Sequence, residues 1–188
     1  MLPQSPDVPP GATVWDLVAF GRYPHQGLLA PLSGADRAAI GWALEITGLS
    51  AMCDRMVDTL SGGERQRAWI ALALAQQTEV LLLDEPTTFL DIRYQLEVLS
   101  LVRRLNRQHG ITVGWALHDL NHAAAYSDQV AMLRSGAIVA EGPPEQVLRP
   151  QTIRDVFQVD VVMLRHPQTG APICLPYQHE DEGPACNQ

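Results

Sequence analysis

Residues 80–91 read Val80-Leu81-Leu82-Leu83-Asp84-Glu85-Pro86-Thr87-Thr88-Phe89-Leu90-Asp91, an apolar run that ends in two carboxylates and a Pro-Thr-Thr turn. An apolar run of this length with no polar alternation predicts a strand buried on both faces of a parallel sheet. Asp84 and Glu85 then fall at its C-terminal end, the edge where α/β sheets gather ligands. A carboxylate there can hold a hard cation such as Mg²⁺, directly or through water, and its neighbour can polarise an attacking water. Taken alone, the pattern equally describes a strand that ends in solvent.

Downstream, Asp91 reads as the cap of a helix over 92–108 that His109-Gly110 ends. Residues 111–117 predict a second buried strand, and His118 just past it shares the sheet edge of Glu85. A helix over 120–126 follows. Segments 129–133 and 138–140 flank Ser135-Gly136 as a hairpin, 144–148 and 152–157 read as helical, and 159–164 as extended. From 178 onward the chain is polar and acidic, a composition from which a frayed end is expected. Upstream the pattern is helical only. Thr13 caps a helix ended by Gly21-Arg22-Tyr23-Pro24, a second runs over 35–47 to Gly48, and a third opens at Ser61 and reaches about 76. The sum is an α/β protein with a parallel sheet and an all-helical insert near its front.

Composition narrows the function. The 188 residues carry a net charge of −8, and all 13 basic residues are arginine, because the sequence has no lysine. An acidic chain with pI near 5.1 has no footprint for nucleic acid or an anionic membrane surface. The longest apolar run, 68–75, is far short of the roughly 20 residues that span a bilayer, so a soluble, cytosolic protein is expected. Cys53, Cys174 and Cys186 form no CxxC pair and read as reduced thiols. His166 and His179 are too isolated to suggest a metal site.

Leu60-Ser61-Gly62-Gly63-Glu64 starts a helix, so backbone N–H groups at the positive end of its dipole meet no Cβ, which makes an anion site. Ser61 could add a hydroxyl donor, while Glu64 could equally be a capping-box acceptor, and the whole could be an ordinary helix start. A neutral imidazole at His118 could donate to a phosphate, although a lone histidine is more often a satisfied core or surface residue. Gln4 alone indicates nothing specific.

Order and context decide between these alternatives. Gln4, LSGGERQR (60–67), LLLDEPTTFLD (81–91) and LHDLN (117–121) together resemble the ATP-binding cassette ATPases, in that family's order, over residues 1 to about 157. The resemblance implies a P-loop NTPase, RecA-like core. It further implies Gln4 as the Q-loop, Leu60, Ser61, Gly62, Gly63 and Glu64 as the signature, and Asp91 as the D-loop. Asp84 and Glu85 become the Walker B carboxylate and the catalytic base, and His118 the switch. ATP and Mg²⁺ are the implied cofactors, the ion held by Asp84 and Gln4. Residues 1–8 would form the Q-loop edge, 9–77 the helical signature subdomain, 78–158 the RecA-like core, and 159–188 a C-terminal extension with an acidic tail. More narrowly, DLVAFGRYPHQG (16–27), RAWIALALAQ (67–76) and DEPTTFLDI (84–92) are similar to the ATPase subunits of ferric enterobactin- and ferrichrome-type importers. The implied partners are a second ATPase subunit head to tail, membrane permease subunits at the Q-loop and helical subdomain, and indirectly a siderophore-binding protein. The implied location is cytoplasmic, peripheral on the inner face of the plasma membrane.

The family also needs a Gly-rich loop ending in Gly-Lys-Ser/Thr, which a sequence without lysine does not contain. That loop and the first strands lie upstream of the Q-loop in the family, so roughly a third of a normal nucleotide-binding domain is expected to be missing on size grounds. The reading is therefore of an N-terminally truncated ATPase subunit, poorly soluble alone. Its rivals are an inactive module that lends its signature in trans to a complete ATPase, a haem or cobalamin importer subunit, and a cassette protein outside transport. Arg22 and Tyr23 could line a permease groove or merely cap a helix; Trp69 reads as core.

Overall fold

Three N-terminal helices begin in the same way, with a hydroxyl residue followed three positions later by a carboxylate. In the computed structural model, which describes residues 10–25 and 31–177, Thr13 caps α1 (Val14–Ala19), Ser33 caps α2 (Gly34–Ile46) and Ser61 caps α3 (Gly62–Ala75). Asp16, Asp36 and Glu64 complete reciprocal capping boxes, so each helix start satisfies its own backbone donors. The first α-helix ends at Ala19, close to the expected stop at Gly21. A 3₁₀ turn, Phe20–His25, carries the chain on through Pro24, whose fixed φ suits a tight helical turn as well as a break.

The chain divides into two units, residues 1–117 and 118–188. The first holds α1 to α3, strand β1 (Val80–Asp84), helix α4 (Ile92–His109) and strand β2 (Thr112–Ala116). Leu17, Ile40, Leu49, Ile70, Leu101 and Leu105 are fully buried in its core, and Trp69 packs against that core. α4 is capped by Asp91 and ends at Gly110, whose φ of 68° requires the left-handed region that glycine enters without strain. β1 and β2 run parallel, with Val80 beside Thr112 and Asp84 beside Ala116.

The two strands are not buried on both faces. Leu81 and Leu83 are each 4% exposed, whereas Val80 and Leu82 are 51% and 49% exposed, and β2 is intermediate or exposed along its whole length. An apolar run cannot reveal which of its faces is covered, because strand side chains alternate whatever their type. Among the described residues, β1 and β2 pair only with each other.

The second unit contains α5 (Leu120–Tyr126), the hairpin β3 (Val130–Arg134) and β4 (Ala137–Gly142), α6 (Pro144–Val147), α7 (Pro150–Phe157), and a further hairpin of β5 (Asp160–Arg165) and β6 (Pro172–Tyr177). Ser135 and Gly136 have φ of 51° and 81°, the expected two-residue turn. Met132, Val147, Leu148, Ile153, Val161 and Cys174 form its core. The extended segment expected at 159–164 is present as β5, whereas β6 carries no strand signal in its sequence. Pro172 and Pro176 argue against a strand, yet a two-stranded hairpin has outer edges where a missing N–H costs nothing. The Asn121 amide pins β6 to α5, donating to the Cys174 carbonyl at 3.2 Å and accepting the Cys174 N–H at 2.7 Å.

Candidate functional site

Residues 60–64 are built as a helix start. Ser61 Oγ accepts the Glu64 N–H at 3.3 Å, and the Glu64 carboxylate accepts the Ser61 N–H at 2.8 Å. The Ser61 amide holds the Glu64 carboxyl below its ordinary range, with the Arg55 guanidinium 3.5 Å away assisting. Of its two possible roles, Glu64 therefore takes that of capping acceptor. Gly62 and Gly63 lie in the first turn, where backbone N–H groups have no intrahelical acceptor, at the positive end of a 14-residue helix.

The two glycines are also required by packing. A Cβ on Gly63 would sit 2.4 Å from Cδ1 of Tyr94, and one on Gly62 would touch Leu90 at 3.4 Å. The start of α3 thus lies against the segment that opens α4, and the structure brings residues 60–64 together with Leu90, Asp91 and Tyr94. Asp91 accepts the Tyr94 N–H at 3.1 Å, which fixes Tyr94 in the first turn of α4. No sequence signal singles out Leu90 or Tyr94. The Gly-Gly pair signals that something approaches closely, but not what it is.

At the end of β1, Asp84 is followed by a turn in which Glu85 adopts a left-handed backbone, φ 46°. The Thr88 hydroxyl donates to Glu85 Oε2 at 3.1 Å, and the Thr88 N–H donates to the Glu85 carbonyl at 3.2 Å. Phe89 is also left-handed, φ 61°, and is 95% exposed. Each such non-glycine residue costs about 1–3 kcal/mol, and strain of this kind gathers where a backbone is held for function. Gln95 Nε2 donates to the Thr87 carbonyl at 3.3 Å, tying the turn to α4.

The parallel register sets Asp84 beside Ala116, and His118 follows Ala116 by two residues as the first residue of the second unit. Within that unit it precedes Asp119, the cap of α5, which accepts the Asn121 and His122 N–H groups at 2.7 and 2.9 Å. Gln4 lies outside the described residues, as do His179 and Cys186. Cys53 and Cys174 are free thiols.

These residues suit the chemistry of a magnesium–phosphate ligand in part. Asp84 offers oxygen at a strand end, as a hard cation requires, and Gly62 and Gly63 offer amides to an anion. The Gly-Lys-Ser/Thr cradle for the β- and γ-phosphates is not among these 188 residues, none of which is lysine.

The ABC transporter family model matches residues 1–88. The chain belongs to the ATP-binding proteins of ABC transporters, with the P-loop NTPase-like α/β fold of that family. It is 49% identical over 177 residues to the iron(3+)-hydroxamate import ATP-binding protein FhuC of Bacillus subtilis (strain 168), covering 94% of this chain and 66% of that one. It is 48% identical over 180 residues to the achromobactin transport ATP-binding protein CbrD of Dickeya dadantii (strain 3937), covering 96% and 67%. A solved metal-chelate type ABC transporter in an inward-facing conformation superposes with a TM-score of 0.87 at 27% identity, over 95% of this chain and 71% of that one. The chain thus spans about two thirds of the length of these curated relatives. Among the described residues no helix is long and apolar enough to cross a membrane.

Proposed function

We propose that this chain serves an ATP-driven importer of ferric siderophores, as the subunit that couples ATP hydrolysis to transport. The observation that carries the reading is the packing of the Leu60–Glu64 helix start onto the Leu90–Tyr94 segment, beside the hydroxamate- and achromobactin-transport relatives. Two such subunits would pair head to tail, so that the Gly62 and Gly63 amides of one meet the γ-phosphate held by the other. Asp84 and Gln4 would hold Mg²⁺, which lowers the charge on the transferring phosphoryl group when bound. Glu85, its carboxylate steadied by Thr88, would take the proton of the attacking water, and His118 would donate to the γ-phosphate. In this reading residues 9–77 form the subdomain that meets the permease, 78–158 the catalytic core and 159–188 an extension. The permease holds the chain at the inner face of the membrane, and a siderophore-binding protein delivers the cargo.

The test is ATP turnover by a version of the chain that carries the phosphate cradle, assembled with its permease. Glu85→Gln is expected to lower kcat about a hundredfold or more while ATP binding persists; an unchanged rate removes Glu85 from its role.

A further inference from the structure

The stretch from Ala12 to His25 is tied near its start to the segment that precedes the signature helix α3, and near its end to the C-terminus of α3. Near the N-terminal end, Val14 N–H donates to the Arg55 carbonyl at 2.9 Å, Trp15 N–H to Cys53 at 2.9 Å, and Val57 N–H returns to Ala12 at 3.0 Å, with Thr13 and Met56 bridged antiparallel. These bonds fix the segment that leads into Leu60.

At the far end of α3 the main tie is a guanidinium. Arg22 donates from Nη1 to the Ala75 carbonyl at 2.6 Å and to Gln77 Oε1 at 2.9 Å, and from Nε to Asp36 Oδ1 at 2.8 Å. His25 Nε2 meets the Gln76 carbonyl at 2.8 Å. The other carboxylate oxygen of Asp36 accepts the Ser33 hydroxyl and amide, so the same carboxylate starts α2. The ion pair is sealed, its side chains being 6% and 9% exposed. Gly21 next door is in backbone contact with α3, since a Cβ there would lie 2.2 Å from the Leu72 carbonyl oxygen. A cation at a helix C-terminus complements the dipole, and Arg22 adds to that the geometry of a fork that joins three elements.

We infer that Arg22 is a positioning residue for the signature motif, acting through α3 on Ser61–Glu64. A 14-residue helix is a stiff rod of about 20 Å, so fixing its C-terminal carbonyls and its flank fixes where its N-terminal amides point. The inference rests on the proposed role of those amides at a nucleotide, and on the buried contacts of Arg22 itself. It assigns to the GRYPH stretch, residues 21–25, the task of making α1, α2 and α3 move as one body.

The test uses Arg22→Ala and Arg22→Lys in two settings. In the 188-residue chain, hydrogen–deuterium exchange is expected to quicken about fivefold or more at 60–66 as well as at 75–77 for Arg22→Ala. Lysine is expected to recover less than about half of the protection, because one ammonium cannot serve a carboxylate, a carbonyl and an amide in a fixed fork. In the permease-assembled protein, kcat per folded molecule is expected to fall about tenfold with the KM for ATP within about twofold. Faster exchange confined to 75–77, with kcat per folded molecule unchanged, overturns the inference by reducing Arg22 to a local cap. A wild-type assembly that never turns over ATP overturns the proposed function instead, and the exchange pattern still decides the role of Arg22. Should Arg22→Ala fail to fold, Gln77→Ala removes one acceptor and keeps the ion pair; exchange at 60–66 is then expected to rise about twofold, and no rise overturns the inference.

Discussion

Residues 12–77 and residues 78–117 hold together by opposite means. In the first stretch three helices close their starts with their own capping boxes, the end of α3 is satisfied by Arg22 and His25, and the core side chains are sealed from water. In the second, α4 packs well but the two-stranded sheet shows one of its faces, with Val80 and Leu82 about half exposed. Helices complete their hydrogen bonds within themselves and bury a stripe against near neighbours, whereas parallel strands depend on elements distant in sequence for both edges and faces. The contrast explains why the helical part is finished by contacts seen here while the sheet presents apolar surface.

The largest expected effect breaks the finished side of the comparison. Gly21→Ala puts a Cβ against a backbone carbonyl that cannot rotate away, and should destabilise the chain by about 3 kcal/mol in urea denaturation, the upper range for overpacking. A similar cost is expected at Leu83→Ala, about 3 kcal/mol, because Leu83 faces the core. Leu82→Ala, one residue earlier, should stay within about 1 kcal/mol and raise solubility, since that side chain is half in water. Equal costs at 82 and 83 would show that the outer face is covered in solution.

A smaller effect addresses the candidate site. Ser61→Ala removes the hydroxyl that accepts the Glu64 N–H and should cost about 1 kcal/mol. Glycine at the same position should cost only a few tenths of that. The last effect is a pH dependence. The Asp36 carboxyl is lowered to about 2 from an ordinary 3.8, chiefly by the Ser33 hydroxyl and then by Arg22. A group whose folded pKa is depressed stabilises fully above its unfolded pKa, and that stability drains away as pH falls from about 4 through about 2. Asp36→Asn should flatten stability over this window and leave its slope above pH 5 unchanged, as read from acid titrations of unfolding.

Much of the fold was legible because its signals are local. The helix starts at Thr13, Ser61 and Asp91 rest on a side chain meeting backbone a few residues away, and the stop at Gly110 and the Ser135-Gly136 turn on backbone that enters the left-handed region. β6 was not legible, because its two prolines are tolerated only through the place of that strand at an edge. The exposed face of β1 was hidden for a related reason, since burial belongs to the neighbours of a residue and not to the residue.

The candidate site divides in the same way. The sequence by itself determined the family, the carboxylates Asp84 and Glu85 at a strand end, the capped glycines of 60–64, and the lack of any lysine to cradle phosphate, because each is a residue type at a fixed short spacing. Only the tertiary structure decided that Tyr94 presses on Gly63, that Glu85 is turned left-handed under Thr88, and that Arg22 joins Asp36, Ala75 and Gln77. These are contacts between elements far apart in the chain or strain imposed by packing, and a buried guanidinium has several acceptors in reach of its sequence until the fold supplies three of them at once.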